Sequence, residues 1–162
     1  MWIAMELSCV ATLTRPDSPS TMLEERTITS AASPIQVLFV EDDAETAGLV
    51  HIHLSEDRDG EFHVEWTPNL VEAVIRLAQP GIDVVLLDLG LPELSGYKSY
   101  RVIEAAARHK LPVVIFTSDD RTVSKDLTLG LGAADYLLKH ESSPAQLKLA
   151  LRNAVLRGRP EH

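Results

Sequence analysis

Between residues 35 and 157 the chain alternates five strand-like segments with five helical ones, and few folds accept that order. The strand-like segments are IQVLFV (35–40), FHVEWT (62–67), IDVVLLD (82–88), PVVIFTS (112–118) and ADYLLK (134–139). Most of them are continuous apolar runs rather than alternating ones, as expected of strands covered on both faces. The intervening segments carry apolar residues at helical spacing. Ala47, Val50 and Leu54 mark the first helix, and Leu70, Ala73, Val74 and Leu77 the second. A third covers roughly 97–108 and a fourth roughly 120–130. Leu147, Ala150, Leu151, Ala154 and Val155 mark the last. Asn69 with Glu72 forms a capping pair for the second helix, and Ser143-Pro144 opens the fifth. Connections this short require an α/β fold, a doubly wound five-stranded parallel sheet with helices on both faces.

In such sheets chemistry gathers beyond the carboxyl ends of the strands. Glu41, Asp42 and Asp43 follow the first strand, and Asp88 ends the third. Thr117-Ser118 ends the fourth and Lys139 the fifth. In the strand order 2-1-3-4-5 these groups converge on one rim. A carboxylate such as Asp88, at the end of a buried apolar run, costs stability unless something binds it or reacts with it. Clustered acids repel unless a cation balances them, and carboxylate oxygens with few other ligands favour Mg²⁺ or Mn²⁺. A nucleophilic aspartate, a divalent ion, a hydroxyl and an ammonium together suit phosphoryl transfer to a carboxylate.

VLFVEDD, DVVLLDLGLPELSG, PVVIFTS and GAADYLLK, in this order, resemble the receiver domain of bacterial two-component response regulators (the CheY-like superfamily), over about residues 35–157. The resemblance implies a flavodoxin-like receiver fold with five helices. It implies that Asp88 is the phospho-acceptor, with Asp42 the principal acidic metal ligand and Glu41 its neighbour. Gly90 would offer a backbone carbonyl to the metal. Thr117 would be the switch hydroxyl, Lys139 the contact to the phosphoryl group, and Tyr136 the aromatic that turns inward when Thr117 moves. The implied donor is a sensor histidine kinase or a histidine phosphotransfer protein. The implied output is a protein target met by the surface of helix 4, strand 5 and helix 5, where a homodimer is also compatible. The function expected is a stand-alone signalling receiver rather than an enzyme, its chemistry limited to phosphotransfer and autodephosphorylation.

Two other readings compete with it. One is an unphosphorylated pseudo-receiver adaptor. The other is a phosphohydrolase with an aspartate nucleophile, but many of those carry a second aspartate where this chain has Gly90. Receivers commonly have proline after the lysine, and here His140 stands there. A cis bond to a non-proline residue costs ~3–4 kcal/mol, so a trans Lys139–His140 peptide is expected. Glycine at position 90 predicts an accessible phosphorylation site. Asp43 is equally explained as a helix-terminal residue favoured by the helix dipole.

Composition bounds the remainder. A net charge of −9 argues against direct nucleic-acid or anionic-membrane binding. One cysteine, Cys9, excludes an internal disulfide and fits a cytoplasmic setting. Six scattered histidines show no ligand spacing. Residues 1–33, rich in Ser, Thr and Pro, read as a disordered extension, 34–157 as the receiver and 158–162 as a short tail.

Overall fold

Burial on both sides explains why the central strands carry almost no polar residue. In the computed structural model, which describes residues 33–56, 60–94, 96–108, 110–118 and 125–158, Val37–Val40 and Val84–Leu87 are wholly buried. The strands are β1 (Ile35–Val40), β2 (Phe62–Thr67), β3 (Val84–Leu87), β4 (Val113–Thr117) and β5 (Asp135–Leu138). All neighbours pair in parallel, in the order β2-β1-β3-β4-β5. The helices are α1 (Ala44–Ser55), α2 (Leu70–Leu77), α3 (Tyr97–Ala106), α4 (Lys125–Gly130) and α5 (Pro144–Gly158). The expected fold is therefore the observed one.

Alternate residues of each strand feed opposite cores. Val37, Phe39, Leu86, Val114 and Phe116 pack under α1 and α5 with Ala47, Val50, Leu54, Leu147 and Leu151. Leu38, Val40, Val85, Leu87 and Ile115 pack on the other face with Leu70, Ala73, Tyr100 and Ile103. Edge strand β2 alternates instead, burying Phe62 and Val64 and exposing His63 and Trp66.

Local chemistry sets the helix ends. Asp43 caps α1, its carboxylate accepting from the backbone N–H groups of Glu45 and Thr46 at 3.2 Å each. Asn69 Oδ1 accepts from Glu72 N at 2.8 Å to cap α2. Ser143 Oγ accepts from Gln146 N at 3.3 Å while Gln146 Oε1 accepts from Ser143 N at 2.8 Å, a reciprocal cap for α5. Gly96 precedes α3 with φ 69°, a conformation that favours glycine, and its N–H donates to Leu89 O at 3.0 Å, closing the loop that follows Asp88.

Several sequence expectations change in detail. Val74 is 37% exposed and faces solvent with Val71 and Ile75, so the packed stripe of α2 is narrower than expected. Strand β3 ends at Leu87, which leaves Asp88 one residue past the strand. The third helix stops at Ala106, and Arg108 turns left-handed at φ 53°. Residues 120–124 of the expected fourth helix, Ser95, most of the 1–33 extension and residues 159–162 of the tail lie outside the described residues.

Tyr100 ties α3 to the loop before β5. Its hydroxyl donates to Leu131 O at 3.3 Å, and burial, with the charge of Glu104, pushes its pKa from 10.0 up to about 12. The folded state thus holds the phenol proton more tightly than the unfolded chain does. The resulting stabilisation is fully present below pH 10.0 and is lost as pH rises toward about 12. The urea midpoint should fall across that window, by a free energy on the order of 2 kcal/mol. Tyr100→Phe should lack this part of the decline.

Candidate functional site

The ladder between β1, β3 and their neighbours continues one residue past the strands and fixes the acids. Glu41 N donates to Thr67 O at 3.1 Å, and Asp88 N donates to Val40 O at 3.0 Å. Lys139 N donates to Thr117 O at 2.9 Å, joining the ends of β4 and β5. Glu41, Asp42, Asp88, Thr117 and Lys139 therefore arrive at the same end of the sheet.

Glu41, Asp42 and Asp88 each present a carboxylate oxygen within 4.8 Å of the others. Glu41 is 1% exposed and Asp88 6%, whereas Asp42 is exposed. Lys139 Nζ bridges the two buried acids, at 2.5 Å from Glu41 Oε2 and 2.8 Å from Asp88 Oδ2. It also lies 6.0 Å from the centre of the Phe116 ring. Asp88 Oδ1 accepts from Gly90 N at 2.9 Å, and Glu41 Oε1 from Asp43 N at 3.2 Å. Burial pushes the Glu41 carboxyl above its ordinary value and the Asp88 charge adds to that, against the opposing pull of Lys139. Burial works against the Lys139 charge, but its bonds to Asp88 and Glu41 outweigh that and hold its pKa above the usual lysine value. One ammonium against three carboxylates leaves a formal charge of −2, and all the acid donors are hard oxygens. That donor set fits Mg²⁺ or Mn²⁺.

Asp43 does not join the trio. Its carboxylate caps α1 and accepts from the Thr46 hydroxyl at 2.6 Å, and these bonds, the hydroxyl first, hold its pKa below the usual range. The cap explains this acid without any metal. Asp88 is less accessible than glycine at position 90 led the sequence reading to expect, because Lys139 and the loop of Gly90 cover it. Gly90 still matters: a Cβ there would lie 3.4 Å from both Asp88 carboxylate oxygens. Its φ is not positive, so backbone freedom does not call for glycine there. Thr117 is fully buried at the end of β4, and the Tyr136 ring is already buried among the residues of the α2–α3 core. The Lys139–His140 peptide is trans, as expected.

Two contacts escaped the sequence reading. Lys139, expected to meet a phosphoryl group, holds two acids together. Trp66, on the edge strand β2, donates its indole N–H to Glu41 O at 2.8 Å.

The model of the response regulator receiver domain matches residues 37–152. The chain belongs to that family. Among curated proteins, this receiver is 36% identical over 122 residues to the uncharacterized transcriptional regulatory protein YcbL of Bacillus subtilis, covering 73% of this chain and 51% of that one. It is 37% identical over 116 residues to the transcriptional regulatory protein RstA of Escherichia coli, covering 72% and 46%. The chain thus spans about half the length of these relatives. Among solved structures, a sensor protein from Polaromonas superposes with a TM-score of 0.67 at 23% identity, covering 79% of this chain and 100% of that one, which bears on fold alone. The receiver domain of a sensor histidine kinase from Pseudomonas aeruginosa, solved with a magnesium ion coordinated in its active site cleft, gives a TM-score of 0.62 at 26% identity, covering 76% and 98%. The family places the chain in two-component signalling. No helix among the described residues is long and apolar enough to cross a membrane.

Proposed function

We propose that this receiver takes a phosphoryl group from a phosphohistidine onto Asp88 and thereby changes a protein-binding surface. The observation that carries the reading is the meeting of Glu41, Asp42, Asp88 and Lys139 at one rim. Glu41, Asp42 and Asp88, with the Gly90 backbone carbonyl, would hold Mg²⁺ or Mn²⁺. Such an ion would offset the repulsion between the acids and the incoming phosphoryl oxygens.

In the transfer, an Asp88 carboxylate oxygen attacks phosphorus. The P–O bond forms as the P–N bond to the donor imidazole breaks, and the leaving nitrogen keeps the electron pair. Gly90 N–H and Lys139 each hold one Asp88 oxygen, which fixes the carboxylate for in-line approach. Lys139 then follows the charge onto the phosphoryl oxygens, and the Thr117 hydroxyl closes on them. Tyr136 accompanies Thr117, starting from a ring that is already buried. The shift reaches α4, β5 and α5, the face we assign to the downstream protein. The relatives' names as transcriptional regulators describe those longer proteins.

Acetyl phosphate with Mg²⁺, read by intact mass, tests the reading. A gain of one phosphoryl group that disappears in EDTA supports it, and no gain from any donor favours the adaptor. Sustained turnover of small phosphomonoesters would instead indicate a phosphohydrolase. Gly90→Val should slow labelling by acetyl phosphate several-fold, because its side chain begins 3.4 Å from both Asp88 oxygens. Unchanged labelling in that variant would mean that the donor approaches from another side.

A further inference from the structure

We propose that Trp66 is a positioning residue for the divalent-cation site, acting through the peptide between Glu41 and Asp42. The proposal rests on the reading that Glu41, Asp42 and Asp88 hold the ion.

Trp66 stands on the edge strand β2 and is 45% exposed, so burial alone does not account for a tryptophan there. Its indole N–H donates to Glu41 O at 2.8 Å, while Glu41 N donates to the next residue of β2, Thr67, at 3.1 Å. Two consecutive β2 residues thus hold both backbone groups of Glu41. The Glu41 side chain is held as well, by Lys139 and by Asp43 N. Asp42 differs from the other two acids in being exposed, so its place in the trio depends on the backbone that carries it. The Glu41 carbonyl and the Asp42 N–H belong to one rigid plane. Fixing the carbonyl fixes that plane, and with it the direction in which Asp42 leaves the chain. The indole bond therefore prepares Asp42 to meet the ion without touching it, and groups that orient ligands in this way change metal affinity when removed. Without the N–H, the Glu41 carbonyl would lose its indole donor and the plane would be free to tilt.

Calorimetric titration of Mn²⁺ into the full chain and into Trp66→Phe tests this, because phenylalanine keeps an aromatic ring on the edge and loses only the donor. The expected result is a dissociation constant about tenfold weaker in the variant, with a melting temperature in EDTA close to the parent's. Parental Mn²⁺ affinity in Trp66→Phe would overturn the proposal and reduce Trp66 to a cover for the sheet edge. A parent chain that takes up no Mn²⁺ would overturn the cation reading itself. If Trp66→Phe does not fold, the Trp66 indole resonance of ¹⁵N-labelled Trp2→Phe chain decides: it should shift through a Mg²⁺ titration and saturate, and a resonance unmoved at saturation would refute the role.

Discussion

Asp88→Asn should take up no phosphoryl group under conditions that label the parent chain fully. The amide has no anionic oxygen to attack phosphorus, so the loss is complete rather than graded. The fold should survive the change. Asparagine keeps an oxygen that can accept from Gly90 N, as Asp88 Oδ1 does at 2.9 Å. It also removes one of three carboxylates that lie within 4.8 Å of one another, relieving their repulsion. Intact mass after acetyl phosphate treatment reads the effect, and circular dichroism checks the fold. Undiminished labelling of a folded Asp88→Asn chain would mean that the acceptor is a different side chain.

The second large effect concerns stability. Lys139→Met should cost roughly 3 kcal/mol of folding free energy in EDTA, the usual scale for leaving buried charge without its partner. Lys139 Nζ lies within 2.8 Å of Asp88 and 2.5 Å of Glu41, and both acids are nearly inaccessible to water. Methionine fills much the same volume and supplies no charge, so the acids face each other uncompensated. Mg²⁺ at saturating concentration should return part of the loss, since an ion that binds only the folded form stabilises it by mass action. Urea unfolding in EDTA and in Mg²⁺ separates the two contributions. An equal loss in both media would argue that Lys139 acts through packing on Phe116 rather than through charge.

The architecture was readable because central strands of a doubly wound sheet are buried on both faces and so appear as unbroken apolar runs, as at 37–40 and 84–87. The rim was readable for a related reason. Parallel strands all deliver their carboxyl ends to one side, so the residue after each run is placed by topology alone. Contacts that depend on three dimensions were not readable. Val74 is four residues from Leu70 and fits the helical stripe, yet α2 buries Leu70 and Ala73 and leaves Val74 37% exposed. For the adjacent acids Asp42 and Asp43 the family resemblance singled out Asp42 while Asp43 stayed open between two roles, and the cap at α1 decides that Asp43 is the helix-terminal residue. The bridge from Lys139 to Glu41 spans 98 residues and the bond from Trp66 to Glu41 spans 25, distances over which local pattern carries no information.

Where the phosphoryl group lands is the most direct test of the account. After treatment with acetyl phosphate and Mg²⁺, borohydride reduction converts an aspartyl phosphate to homoserine, and peptide mass spectrometry locates it. The account predicts homoserine at position 88 and nowhere else. Conversion at another aspartate, or none in a chain shown to have bound Mg²⁺, would contradict it.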